Sequence, residues 1–333
     1  MSDADSIPFL DSTSQSETSP LLGQLAPIWR RFLAFAIDCL ILGAVGIVIG
    51  MFLFNTLAAL GPWGRLLGFL LVLPYFTLFE SRIGDGQSPG KRVLGIRVVD
   101  SQGNHISLDD SLLRYIVCAL PFFLNSLPLP VTRLSAFTSA ALAFIVFGAG
   151  GANLYLLIFN RNTRQGLHDL AASTYVVRAL QKGQIEAQAF WKPHWIILGT
   201  LFVALTAGLS FFAKSAPQWG PFPELFQDAQ LVEDMDGVQR AGAWHLDQFN
   251  SHDNLHAKIL SITAYVNPGS PDGPAFANEI AKSLLEKDPH VAQYDRLNIV
   301  IVCGYDIGFA SGWRSNNFSH SPAEWTQLVA GIS

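Results

Sequence analysis

Apolar residues in this chain gather into long uninterrupted runs, and polar residues fill the short segments between them. A helix needs about 20 mainly apolar residues to cross about 30 Å of hydrocarbon. Phe32 to Phe54 meets that need, with Asp38 as its only charge. Trp63 to Phe79 is shorter and carries Arg65 and Pro74. Tyr115 to Thr132 has no charge but holds Pro121, Pro128 and Pro130, so it reads either as a crossing helix or as a re-entrant segment. Leu134 to Asn160 is uncharged throughout, and Pro193 to Ala213 follows, with Trp191 and Trp195 at its edge as interfacial anchors.

Between the second and third runs the period changes. Val93 to Asp100 reads as a strand and Ser101-Gln102-Gly103-Asn104 as a turn. Ser107-Leu108-Asp109-Asp110 resembles a capping box, so a short hairpin is expected to lead into a helix. After residue 213 the pattern is that of a small folded domain. Lys258 to Val266 and Asn298 to Cys303 predict strands. Phe276, Ile280 and Leu284 recur at helical spacing behind a Pro271-Asp272-Gly273-Pro274 turn, and Val238 to Phe249 reads as an earlier helix. The expected fold is therefore a membrane bundle of about five transmembrane helices followed by a small soluble α+β domain.

Composition sharpens this. Of 333 residues 50% are hydrophobic and only 14% charged, against roughly 25% charged in a soluble domain. Residues 214–333 hold 7 Lys and Arg against 14 Asp and Glu, whereas the preceding residues are slightly basic. A net charge of −5 offers no field for nucleic acid. Residues 1–24 are rich in Ser, Thr, Asp and Pro and read as a disordered tail without signal-peptide character. The basic residues set the orientation. Arg30, Arg31, Arg82, Lys91, Arg92, Arg97, Arg114, Arg161, Arg164, Arg178, Lys182 and Lys192 fall in alternate connections, while the opposite ones hold only Arg65 and Arg133. By the positive-inside rule the N-terminus is cytoplasmic and, after five crossings, residues 214–333 lie outside.

Three stretches then become recognisable. Arg31-Phe32-Leu33-Ala34-Phe35-Ala36-Ile37-Asp38 resembles the opening helix of the RDD family of bacterial membrane proteins, named for one arginine and two aspartates. Gly86-Gln87-Ser88-Pro89-Gly90-Lys91-Arg92-Val93-Leu94-Gly95-Ile96-Arg97-Val98 is similar to its G-x-x-x-G-K-R-x-x-G-x-x-V stretch, and Arg114 matches a following arginine. Thr163-Arg164-Gln165-Gly166-Leu167-His168-Asp169 resembles the closing segment, which puts Asp169 in the place of the second aspartate. The resemblance covers about residues 25–180. It leaves 181–213, a linker and fifth helix, and the acidic domain 214–333 outside. It implies a multi-pass protein of the bacterial inner membrane with a suggested role in transport, cation–proton exchange included.

The candidate functional residues are Arg31, Asp38, Glu80, Arg164 and Asp169. Arg31 and Asp38 are seven apart on nearly one helix face. An ionised Asp38 inside the run costs several kcal/mol unless paired or wetted. It is either a protonation site or a structural partner of Arg31, Arg114 or Arg164. Asp169 reads as a cap or salt bridge or as a ligand contact, and Glu80 as a member of the same cluster or a solvated helix end. Lys91, Arg92 and Arg97 are candidates for contact with anionic lipid headgroups. Gly46 and Gly50 form a G-x-x-x-G pair suited to packing within the chain.

His252 and His256 stand at i, i+4 but lack a third ligand, so no metal site or cofactor is expected. No nucleophile–base arrangement can be named, and an enzyme is not expected. Two functions remain open. One is a transporter or transport accessory coupled to protons or small cations. The other is a non-catalytic anchor, scaffold or sensory module presenting the outer domain to a partner. The expected partners are the lipid bilayer, protons or small cations, and other membrane proteins or a second copy of the chain.

Overall fold

A computed structural model describes residues 24–125, 141–180, 185, 189–215, 219–220, 222–250 and 255–331. Residues 1–23 of the expected tail, the end of the third run (126–132), Arg133, the start of the fourth run (134–140), Lys182 and His252 lie outside the described residues.

The first two long helices among the described residues are α1, Ile28–Ala59, which kinks at Leu53, and α2, Gly64–Glu80, which contains Pro74. A tight turn over Gly61–Trp63 joins them. A short helix α3, Pro89–Val93, is capped by Ser88, whose hydroxyl accepts the Lys91 N–H, and Pro89 takes the first helical position. Strand β1 runs over Ile96–Val99, and helix α4, Leu108–Leu124, starts at the expected Ser107 cap. Then come α5, Ala141–Phe159, with a π-helical stretch over Phe144–Ala149; α6, Leu167–Ala171; strand β2, Tyr175–Arg178; and α7, Pro193–Ser215.

Among the described residues four helical stretches are long and apolar enough to cross a membrane: Ile28–Ala59, Gly61–Glu80, Ala141–Phe159 and Pro193–Phe212. The third apolar run is represented by α4, which begins seven residues before it. α4 runs antiparallel to α2. Arg114 lies by Glu80 at one end, and the Phe122 and Asn125 carbonyls accept from Arg65 at the other.

The hairpin expected after Val93 does not form. Val93 ends α3, and β1 pairs antiparallel with β2, Ile96 opposite Arg178 and Val99 opposite Tyr175. The Asp100 carboxylate accepts the N–H groups of Gln102 and Asn104, which closes the turn locally. Ile96, Val98 and Val176 bury their side chains with Ala26, Ala34 and Ile106, so the small sheet is fastened to the start of α1.

The C-terminal domain contains α8 (Phe222–Glu233), β3 (Val238–Asn250), β4 (Leu255–Val266), α9 (Pro274–Lys287), β5 (Arg296–Asp306), β6 (Ser311–His320) and α10 (Pro322–Ala330). The sheet order is β3-β4-β5-β6, with β4 and β5 parallel and joined through α9, and the other pairs antiparallel. Phe276, Ile280 and Leu284 of α9 pack on Leu260, Ile262, Leu297, Ile299 and Ile301. Both predicted strands and the predicted α9 are present. Val238 to Phe249, expected as a helix, is a strand: Ala241 and Ala243 face the core while Trp244 and Leu246 are exposed, a period of two imposed by pairing with β4.

The β5–β6 hairpin reaches out of this domain into the helical bundle. Tyr305 and Ile307 are buried against Leu57 and Ala58, with Phe54, Leu67, Phe309 and Ala310 around them. Gly43, Gly46 and Gly50 of α1 and Gly64 and Gly68 of α2 form the seat. A Cβ on Gly46 would overlap Ala310, and one on Gly68 would overlap the Ile307 carbonyl. The G-x-x-x-G face thus packs within the chain, on a hairpin rather than on a helix. Gly43 lies sixteen residues before Ala59, about 24 Å along the axis at about 1.5 Å per residue. Backbone at that depth must be satisfied internally. Accordingly the Ile307 N–H donates to the Ala310 carbonyl and the Gly308 N–H to the Asp306 carboxylate.

Candidate functional site

Asp38 faces α2 and α3. It is 1% exposed and accepts three hydrogen bonds: from the Tyr75 hydroxyl at 2.8 Å, the Ser88 hydroxyl at 2.5 Å and the Gly90 N–H at 2.8 Å. Glycine at 90 is a steric requirement, because a Cβ there would overlap the Ala34 carbonyl of α1. Asp38 therefore clamps the Gly86–Arg92 loop to the first helix. None of Arg31, Arg114 and Arg164 is its partner. Arg31 and Asp38 share a face, but each is taken by a different element.

Arg31 pairs with Asp169 and donates to the Arg164 carbonyl. Asp169 is fully buried. It also pairs with Arg114 and accepts the Gly166 N–H at 2.9 Å, capping its own helix α6. Arg114 continues to Glu80, which pairs in turn with Lys91, and Arg114 also donates to the Thr174 hydroxyl. The structure thus gathers Arg31, Lys91 and Arg114 against Glu80 and Asp169, with Asp38 beside Lys91's own helix. Three cations meet two carboxylates. Buried ions are tolerable when paired and hydrogen-bonded in this way, and costly when one partner is lost.

His168 adds a neutral polar link. Its Nδ1 lies 2.7 Å from the Asn153 Oδ1 of α5, and its Nε2 lies 3.4 Å from Asp169. Burial, reinforced by Arg114 and Arg31 and opposed by Asp169, pushes the imidazole down to about 4. Burial alone would raise Asp169, but Arg31, His168 and Arg114 outweigh it and hold the carboxyl well below the usual carboxylate range.

The remaining candidates separate from this cluster. The Arg164 side chain donates to the Leu25 carbonyl at 3.0 Å and makes no ion pair with a described residue. Of the three headgroup candidates, Lys91 is engaged with Glu80 and Arg97 with the Ala179 carbonyl; Arg92 is exposed. His256 stands in strand β4, so the helical spacing to His252 does not apply. Among the described residues no group of three or more His, Cys, Asp or Glu side chains is placed to hold a metal ion. The candidate residues left out Tyr75, Ser88, Asn153, His168 and Thr174, although Ser88 and His168 stand in the quoted stretches. The Ser88-Pro89 pair carried the signal, an N-cap followed by proline at the first helical position. Tyr75, inside an apolar run, carried none.

The arrangement fixes charge, and it defines a class: a multi-pass bundle whose loops are pinned to its first helix by one arginine and two aspartates. Residues 25–173 match the family model of the RDD family. An uncharacterized protein YckC from Bacillus subtilis (strain 168) is 31% identical over 109 residues, covering 33% of this chain and 58% of that protein. The chain thus spans a little over half the length of this curated relative. No solved structure matches it.

Proposed function

We propose that this RDD-type bundle is a non-catalytic membrane scaffold that holds the C-terminal α+β domain at a fixed position on the membrane. The observation that carries this reading is the β5–β6 hairpin seated on Gly46, Gly50 and Gly68. A freely tethered module would need only α7 as an anchor. Here the domain is keyed into the first two helices as well, and Arg65 of α2 adds an ion pair to Asp306. In this reading the helices cross five times in a bacterial inner membrane, with the basic end cytoplasmic and the domain outside, following the basic residues.

Transport coupled to protons or small cations is the second reading. It draws on the polar thread from Asp169 through His168 to Asn153 between α4, α5 and α6. Asp38, with three donors on its two oxygens, has little room left to bind an ion.

A photoreactive benzoylphenylalanine in place of Phe309 tests the scaffold in native membranes. Adducts are expected on the α1 segment around Gly43 to Gly50 or on Phe123. Adducts confined to lipid or to other proteins would remove the basis of the proposal. Cation-driven proton flux in vesicles, abolished by Asp169→Asn in protein that still folds, would favour the carrier.

A further inference from the structure

A second constellation of charge lies at the basic end of the bundle, apart from the buried network. The start of α1 and the end of α5 enclose a concavity of about 480 Å³ lined by Pro27, Trp29, Ile158, Arg161, Asn162 and Arg164. Its polar wall is built from guanidinium groups without counterions. Among the described residues no carboxylate pairs with Arg161 or Arg164, nor with Arg30 and Arg178 nearby. This contrasts with Arg31, Lys91 and Arg114, each of which meets a carboxylate. Burial, together with the like charge of Arg178, pushes the Arg164 guanidinium down, as expected of cations held side by side unneutralised.

The backbone is committed to this placement. Arg164 has φ +51°, in the left-handed region that non-glycine residues avoid. Its position is pinned by its own bond to the Leu25 carbonyl and by Arg31 donating to its carbonyl.

The opposite wall is apolar and faces outward. Trp29 is 58% exposed and Ile158 43% exposed. Both sit at the ends of helices that are apolar enough to cross a membrane, the depth at which tryptophan belts mark the headgroup boundary. A soluble anion would need only the arginines. A ligand that uses both walls has an anionic head and an apolar body.

We propose that this concavity binds an anionic phospholipid, its phosphate held by Arg161 and Arg164 and its acyl chains lying against Trp29 and Ile158. Basic pockets between helix ends are established headgroup sites in chemical terms, because an arginine fork matches phosphate oxygens. The inference does not depend on whether the bundle is a scaffold or a carrier. It moves lipid recognition from Lys91 and Arg97, which are occupied internally, to the Arg161–Arg164 segment.

The test uses the full chain in phosphatidylcholine nanodiscs titrated with phosphatidylglycerol, with bound lipid read by native mass spectrometry. Saturable retention of phosphatidylglycerol is expected. Arg161→Gln, at an exposed side chain with no hydrogen bond or ion pair to a described residue, is expected to weaken it about fivefold, as one basic group near the surface is worth about 1 kcal/mol. Trp29→Ser is expected to weaken it as well, and Arg82→Gln, an exposed arginine elsewhere on the same end, to leave it unchanged. Equal loss in Arg82→Gln would show diffuse attraction and overturn the site. So would equal retention of phosphatidylcholine. A soluble arm with inorganic phosphate and glycerol 3-phosphate separates the sources. Binding of these as tight as phosphatidylglycerol, insensitive to Trp29→Ser, would make it a site for free phosphate and overturn the lipid assignment.

Discussion

At the end of the bundle that holds Arg31, Asp38 and Glu80, three cations meet two carboxylates, and Asp38 holds the Gly86–Arg92 loop beside them. At the other end, where α1 turns into α2, the helices contribute glycines and receive a hairpin from a different domain. Each end closes the bundle, but they fail in opposite ways. A charge network is directional and collapses when a partner is removed, because the survivors are left buried and unpaired. A small-residue seat is steric. Removing atoms from it costs little, and adding even one carbon forces the packed elements apart.

The largest effect should come from Asp169→Asn. That change leaves the shape intact but takes the charge from a carboxylate shared by Arg31 and Arg114. Breaking a buried pair costs about 3–5 kcal/mol. The protein should therefore melt well below the parent in detergent, with increased hydrogen exchange in the loops of the basic end and little change in β5 and β6. An unchanged melt would mean that the network is not what holds that end.

The second way to sharpen the comparison is pH, since the two regions should respond with opposite signs. His168 is pushed down to about 4, from a usual value of 6.5. Between those values the unfolded chain takes up a proton that the folded chain refuses. Stability at the basic end is therefore lost as pH falls from about 6.5 to about 4, roughly 3 kcal/mol in all, and levels off below that. Asp169 stays charged throughout that window, so the loss belongs to the histidine. In the C-terminal domain Asp228 is pushed up to about 7, by burial first and then by Asp288 and Glu224, with His290 opposing. There the folded state keeps a proton that the unfolded state has released. That contribution is full in acid and lost as pH rises through about 7. Hydrogen exchange followed region by region should show the helices loosening and the sheet tightening as the solution is acidified. His168→Gln should flatten the first response and Asp228→Asn the second.

How far the sequence alone reaches follows the same division. Long apolar runs announced the helices, and apolar β4, β5 and α9 were legible because their partners lie within one small core. Strand β6, with its Ser, Asn and Arg residues, carries no strand pattern; it exists because β5 offers it ten paired positions. In the network, the residue types were legible and the pairing was not. Arg31 and Asp38 are one heptad apart on a helix, and that spacing invites an ion pair. Yet Asp38 is claimed by backbone and hydroxyl donors from a loop fifty residues on, and Arg31 by an aspartate more than a hundred residues away. Local periodicity places side chains on faces; it does not say what those faces meet.

The smallest effect, and the one most specific to the hairpin end, is expected at Gly68. Replacing a glycine inside a helix with alanine ordinarily stabilises it by about 1 kcal/mol. Gly208 of α7, where an added Cβ meets nothing within 4 Å, should behave that way. At Gly68 the Cβ would overlap the Ile307 carbonyl, a backbone atom that cannot rotate aside. α2 and the hairpin must then separate, so Gly68→Ala should destabilise by about 1–3 kcal/mol and raise exchange across Tyr305 to Ala310. Gly50→Ala should be milder, because its clash is with the Tyr305 hydroxyl, the far end of a side chain that can swing. The order of the three substitutions is the discriminating result. If Gly68→Ala melts higher than the parent, as Gly208→Ala should, the hairpin does not occupy the seam between the first two helices, and the steric half of the comparison falls.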